Sequence, residues 1–205
     1  MTNSERVPHV GDGGDKTRAG KRERLVEGAR RVLHEQGVEG TTLADISEAA
    51  DVPVGNVYYY FKTKDELVEA AVDAHADEIQ TRLAEFERHR TPVARLKALA
   101  LFSTELADQV ARYGCPHGTL CQELAKRDDD LERRAAKLVA LTVDWAEDQF
   151  RLMGKRDARD LAVGLVASIQ GTSLLTSSFR DPDIMTRQAD RLARWIDELA
   201  KTPGA

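Results

Sequence analysis

Cysteine occurs only twice in the 205 residues, at Cys115 and Cys121. Two thiols without a framework spacing argue against a disulfide-stapled exterior protein and suit a reducing cytoplasm. Aromatic residues are nearly as scarce, at 5%, so the places where they gather carry information. No stretch alternates polar and apolar residues, which leaves no strand and no sheet to expect. The opening "MTNSERVPHVGDGGDKTRAG" lacks an apolar core region, so no secretory leader is expected. Long uncharged runs are limited to one, the nineteen residues "LAVGLVASIQGTSLLTSSF" from Leu161 to Phe179. That length approaches a membrane span. Gln170 and its run of Ser and Thr make it a poor one, and a helix apolar all round is usually buried in protein. No membrane partner is expected.

What the chain does have is charge and helical period. Charged residues make up 32% and hydrophobic ones 41%, which fits a globular protein. Net charge is −5, yet the segment from Lys16 to Lys64 carries +2. Any nucleic-acid surface is therefore local, near the front. Residues 1–16 are Gly- and Asp-rich and read as a mobile tail. From Thr17 a helical stripe sets in, with Leu25, Ala29, Val32 and Leu33 opposite Arg22, Glu23, Arg30 and Arg31, and Gly37 and Gly40 end it. Thr42 with Asp45 forms a capping-box pair opening a short second helix, whose Leu43, Ile46 and Ala50 face inward. Thr63 with Glu66 repeats the pattern and opens a long helix to about Arg88. Further helices are predicted from Pro92 to Gly114, Thr119 to Lys126, Asp130 to Met153, Asp157 to Phe179 and Met185 to Lys201. The fold class is all-α.

Between the two capped helices lies "VPVGNVYYYFKTKDEL", residues 52–67. Taken alone, "VYYYF" has strand composition, but nothing nearby pairs with a strand. A segment opened by Pro53 suits a short helix instead. At about 100° per residue, Val57 and Phe61 share the inward face. Val54, Gly55 and Tyr58 then fall opposite, Asn56 and Tyr59 flank them, and Tyr60 is ambiguous. An outward tyrosine beside a glycine that permits close backbone approach suits a helix laid in a DNA major groove. Lys62 and Lys64 follow at its exit, placed to grip phosphates.

The stretch "GVEGTTLADISEAADVPVGNVYYYFKTKDEL" resembles the helix-turn-helix domain of the TetR/AcrR transcriptional regulators, within residues 17–64. The resemblance implies base-edge contacts from Val54, Gly55 and Tyr58, and phosphate contacts from Thr42, Asn56, Tyr59, Tyr60 and Lys64. Val54 stands where relatives often carry a polar residue, so direct readout is expected to be thin. The resemblance also implies that residues 65–205 bind a small effector and hold a homodimer together through the last two long helices. It implies a repressor of a pseudo-palindromic operator, located in the cytoplasm and not an enzyme. Small residues at Ala162, Gly164, Ala167 and Gly171 suit close helix approach in such a dimer.

"YGCPHGTLCQELAKR" is similar to a G-C-P-x-G-x-L segment in a subgroup near the multidrug- and flavonoid-responsive repressors. Cys115 is either an electrophile-sensing thiol beside His117 or a small packed hydrophobe at a helix break. As a catalytic pair, Cys115 and His117 lack a visible orienting group or oxyanion motif. Cys115, His117 and Cys121 lack the paired spacing of zinc ligands, so no metal and no cofactor are expected. The aromatic residues Phe86, Phe102, Trp145 and Phe150 belong to helices that enclose the effector pocket by resemblance. Gln170, His117 and Thr142 are candidate polar groups there. His75 and His89 are read as solvated.

Overall fold

The computed structural model describes the backbone of residues 13–201, with side chains from residue 20 onward. Among the described residues there are ten α-helices and no strand. The first four are α1 (Gly13–Gly40), α2 (Leu43–Ala49), α3 (Val54–Tyr60) and α4 (Lys64–Phe86). Then come α5 (Pro92–Phe102), a 3₁₀ turn at Ser103–Leu106, α6 (Ala107–Tyr113) and α7 (Pro116–Leu124). The last three are α8 (Asp130–Leu152), α9 (Ala158–Phe179) and α10 (Asp183–Lys201). The segment read as a tail therefore falls mostly outside the described residues, and its last four positions begin α1.

The first three helices assemble by the predicted stripes. Leu25, Ala29, Val32 and Leu33 of α1 are all buried, and α1 packs on α2, α4 and α7. Thr42 caps α2 with the full reciprocal box: its hydroxyl accepts the Asp45 N–H, and the Asp45 carboxylate takes the Thr42 N–H at 2.8 Å. Asp51 turns the chain between α2 and α3 with φ of 50°, a left-handed position that aspartate tolerates. The Ser47 hydroxyl donates to the Val52 carbonyl at 2.6 Å and locks that turn from inside.

The entry to α4 differs from the predicted box. The Thr63 hydroxyl accepts the Glu66 N–H, but the Glu66 carboxylate accepts the N–H of Lys62 at 2.7 Å rather than that of Thr63. One backbone donor of the α3–α4 link is satisfied a residue earlier than the rule places it.

The larger lobe also departs from the reading in two places. The span predicted as one helix from Pro92 to Gly114 is α5, a 3₁₀ turn and α6, ended by Gly114 at φ 82°. The next helix starts at Pro116, not Thr119, because proline suits a first helical position and Cys115 caps it. Around these, α8 packs on α4, α7 and α9, while α10 packs on α5 and α9. One continuous buried cluster runs from Leu25 of α1 to Ile196 of α10.

Helix α9 is the one described helix long and apolar enough to cross a membrane by length and composition, yet it is not sheathed within the chain. Ala162, Leu165 and Val166 are buried, whereas Val163, Leu174, Leu175 and Phe179 are exposed. Phe179 keeps 67% of its surface open and Leu174 60%. Gly164 and Gly171 lie on this side with no neighbour within 4 Å of a built Cβ.

Candidate nucleic-acid interface and effector cavity

Helix α3 is pinned by two side chains. Val57 is 0% exposed, and Phe61 is buried beneath the Arg22 guanidinium, 5.2 Å from its ring centroid. Full burial of two such side chains stabilises the docking of this helix by about 1.5–3 kcal/mol each. The opposite face is bare: Val54, Tyr58 and Tyr59 are 48%, 53% and 55% exposed. Gly55 lies among them, also exposed, and Asn56 is half-buried at the edge. Tyr60, the ambiguous position, is half-buried against the core and meets the Tyr59 ring edge-on at 5.1 Å.

Three of the predicted phosphate-gripping groups, Lys62, Lys64 and Thr42, are held by hydrogen bonds within the chain. The Lys62 ammonium donates to the Tyr58 carbonyl at 2.8 Å, closing the negative end of α3. Lys64 reaches the Glu39 carbonyl at 3.5 Å. The exposed Thr42 hydroxyl also donates to the Asp45 carboxylate at 2.6 Å. That hydrogen bond is the first cause holding the Asp45 carboxyl below its ordinary range.

Beneath this head lies a cavity of about 530 Å³, within the size range of small-molecule sites. Its apolar wall comes from Ile79, Leu83 and Phe86 of α4, Leu99 and Phe102 of α5, Leu138 and Val139 of α8, and Val166 of α9. Cys115, His117, Thr142 and Gln170 line it. Trp145 and Phe150 do not. The indole of Trp145 donates to Glu87 at 3.2 Å and rests against Phe86. Phe150 is fully buried against Trp195. Eight residues beyond Thr142, Phe150 sits about 12 Å along α8 and about 80° around it, which carries it into the α10 contact instead.

The polar pole of the cavity was not foreseen. Arg30 and His34 of α1 enter it beside His75 and Glu78 of α4. Arg30, placed opposite the apolar stripe of α1, forms an ion pair with Glu78 and lies 3.4 Å from His75 Nδ1. His75, read as solvated, is 5% exposed and meets the His117 ring edge-on at 5.0 Å. The signal was present: positions 68, 72, 75, 79, 83 and 86 of α4 are all buried, and His75 occupies that apolar register. His89 is exposed, as read.

These contacts set protonation. The interaction with His75, whose Nδ1 lies 3.8 Å from the carboxylate, with Arg30 adding to it, pulls the Glu78 carboxyl down to about 2. Desolvation, then the neighbouring His75, pulls His117 down to about 3. Burial likewise lowers His34, whose Nε2 pairs with the Gly114 carbonyl at 2.8 Å.

Cys115 has a structural task. Its sulfur accepts the Gly118 N–H at 3.4 Å as the cap of α7, while the His117 ring lies against His75. A Cβ at Gly118 would lie 2.4 Å from Gln170 Oε1, so any larger residue there displaces the Gln170 amide. Cys121 donates to the Ala135 carbonyl, and burial pushes its thiol up to about 11.

The smaller head is also tied to the lobe behind it. Helix α1 breaks at Gly37, with φ 78° and ψ 169°. The freed N–H of Val38 donates to the Glu123 carboxylate of α7 at 2.5 Å. The positive φ at position 37 favours glycine, and a Cβ there would also lie 2.9 Å from that carboxylate and push it off the Val38 N–H.

Residues 25–71 match the family model described as bacterial regulatory proteins of the tetR family. An uncharacterized HTH-type transcriptional regulator from Lactococcus lactis is 29% identical over 186 residues, covering 88% of this chain and 95% of that one. Along most of its length the chain is similar to tetR-family regulators. It is also similar to the HTH-type transcriptional regulator TtgR of Pseudomonas putida, at 27% identity over 86% of this chain and 88% of that one. The TetR fold extends beyond the head: a TetR transcriptional regulator from Chloroflexus aurantiacus superposes with a TM-score of 0.76 at 22% identity, covering 88% of this chain and 97% of that one.

Proposed function

We propose that this protein is a cytoplasmic DNA-binding repressor, active as a homodimer, that leaves a pseudo-palindromic operator when a small hydrophobic or electrophilic effector enters the cavity. The observation that carries the reading is α3 itself, whose buried Val57 and Phe61 leave Val54, Gly55, Tyr58 and Tyr59 facing out. Water gives such a surface no reason to be apolar, aromatic and glycine-notched at once; a major groove does.

The exposed apolar side of α9 supports the dimer, with Leu174, Leu175 and Phe179 covered by the same face of a second copy around a two-fold axis. Such a dimer sets two α3 helices about 34–36 Å apart, one DNA turn. Effector entry beside Arg30 and Glu78 disturbs the ion pair between α1 and α4. A coupling of about 1–3 kcal/mol suffices to make the DNA-competent state rare. The neighbouring thiol supports a second trigger, since Cys115 lines the same cavity and alkylation there removes the α7 cap.

Lys64→Ala tests the DNA contact. Binding to a fragment from upstream of the coding sequence is expected to weaken, and the slope of log K against log salt to become shallower by about 0.9. Equal slopes refute the phosphate contact. Absence of any footprint at low salt on that fragment refutes autoregulation through it and weighs against the repressor reading as a whole.

A further inference from the structure

The polar pole holds three groups that ordinarily ligate metals. One ligand atom each from His75, Glu78 and His117 lies within 4.8 Å of the others. His75 and Glu78 project from α4 three residues apart, and His117 approaches from the first turn of α7. Two imidazoles and one carboxylate are the donor set that suits zinc, cobalt or nickel rather than calcium or magnesium. Three protein ligands with a fourth position left to solvent or a small molecule form the open type of site, and all three residues face the effector cavity. Ligands at about 2.0–2.1 Å from a tetrahedral ion stand about 3.4 Å apart, so the widest gap closes with modest side-chain rotation.

We infer that His75, Glu78 and His117 form a binding site for a divalent d-block cation, which takes over from Arg30 the neutralisation of Glu78. Arg30 is the present occupant: its guanidinium pairs with Glu78 and touches His75. It keeps one buried donor, Nε, without a partner, so its seat is incomplete. A dication placed between the three ligands repels the guanidinium and delivers more charge to the carboxylate at shorter range. Because Arg30 belongs to α1, loading the site breaks the α1–α4 ion pair at the cavity's polar end. Cys115 and Cys121 are not among the ligands. The site stands apart from the DNA-binding reading, and failure to bind metal leaves that reading untouched.

Tag-free full-length protein titrated with Co²⁺ and Zn²⁺ tests this. One ion per chain is expected, with a visible Co²⁺ spectrum free of thiolate charge transfer. Glu78→Gln and His117→Gln each lower affinity at least tenfold, while the double variant Cys115→Ser/Cys121→Ser leaves it unchanged. Arg30→Gln raises affinity several-fold, since it removes the competing cation. In unaltered protein, Zn²⁺ is expected to protect His75 and His117, but not His89, from diethylpyrocarbonate, read by peptide mass. No binding at 1 mM ion, binding indifferent to the Glu78 and His117 variants, a thiolate band, or no protection of those two histidines overturns the site. Weaker binding by Arg30→Gln overturns the displacement.

Discussion

Gly55→Ala separates folding from function at a single atom. Gly55 is exposed inside α3, and a Cβ there meets no other element within 4 Å. Its φ is not in the left-handed region, so alanine adopts the same backbone. Glycine to alanine in an open helical position stabilises by about 0.5–1 kcal/mol, and a place in the first turn argues for the lower end. For a chain of this length that raises Tm by about 1–2 °C. Against DNA the same methyl stands between Val54 and Tyr58, where the helix backbone must come close to the duplex. At least tenfold weaker binding is expected, about 1.4 kcal/mol. Thermal melts at fixed protein concentration and fluorescence anisotropy on the upstream fragment read the two quantities side by side. Raised Tm with unchanged DNA affinity refutes close approach of this face to the groove. A lowered Tm refutes the open environment from which the stabilisation was worked.

On α9, Leu174→Glu combined with Phe179→Glu is expected to give the mass of one chain in size-exclusion light scattering with helical content intact; a persisting dimer places the interface elsewhere. Alkylation by iodoacetamide at pH 8 is expected to reach Cys115 well before Cys121, because a thiol near pKa 11 is ionised there to only about one part in a thousand; equal rates by mass spectrometry contradict the burial of Cys121. His34 has a folded pKa below its ordinary 6.5, so the unfolded chain binds the extra proton and stability falls as pH drops below 6.5. His34→Gln is expected to flatten that part of the urea-midpoint profile between pH 7 and 5.5, and an unchanged profile assigns the slope to other groups.

How much the residues disclosed follows the range of the forces involved. Helix α3, the Thr42–Asp45 box and the α1 stripe are settled within a few positions of chain, and each was legible. His75 was legible too, in the register of Val68, Val72, Ile79, Leu83 and Phe86, but its polarity masked the period. Nothing local announces that Arg30 turns inward. That depends on α4 and α7 lying against α1, as the Val38–Glu123 contact across 85 residues records for α7. Trp145 and Phe150 were misplaced for the same reason: helix membership says which rods line a cavity, whereas the angle around the rod says which side chains do.

The Gly37 break has a practical consequence for hybrid regulators. The linear order invites cutting the chain at the start of α4 and grafting on another head. Here such a graft severs Val38 from Glu123 and Arg30 from Glu78. A hybrid that keeps its responsiveness must exchange the matching faces of α1, α4 and α7 together, treating the seam as a surface rather than as a point on the chain.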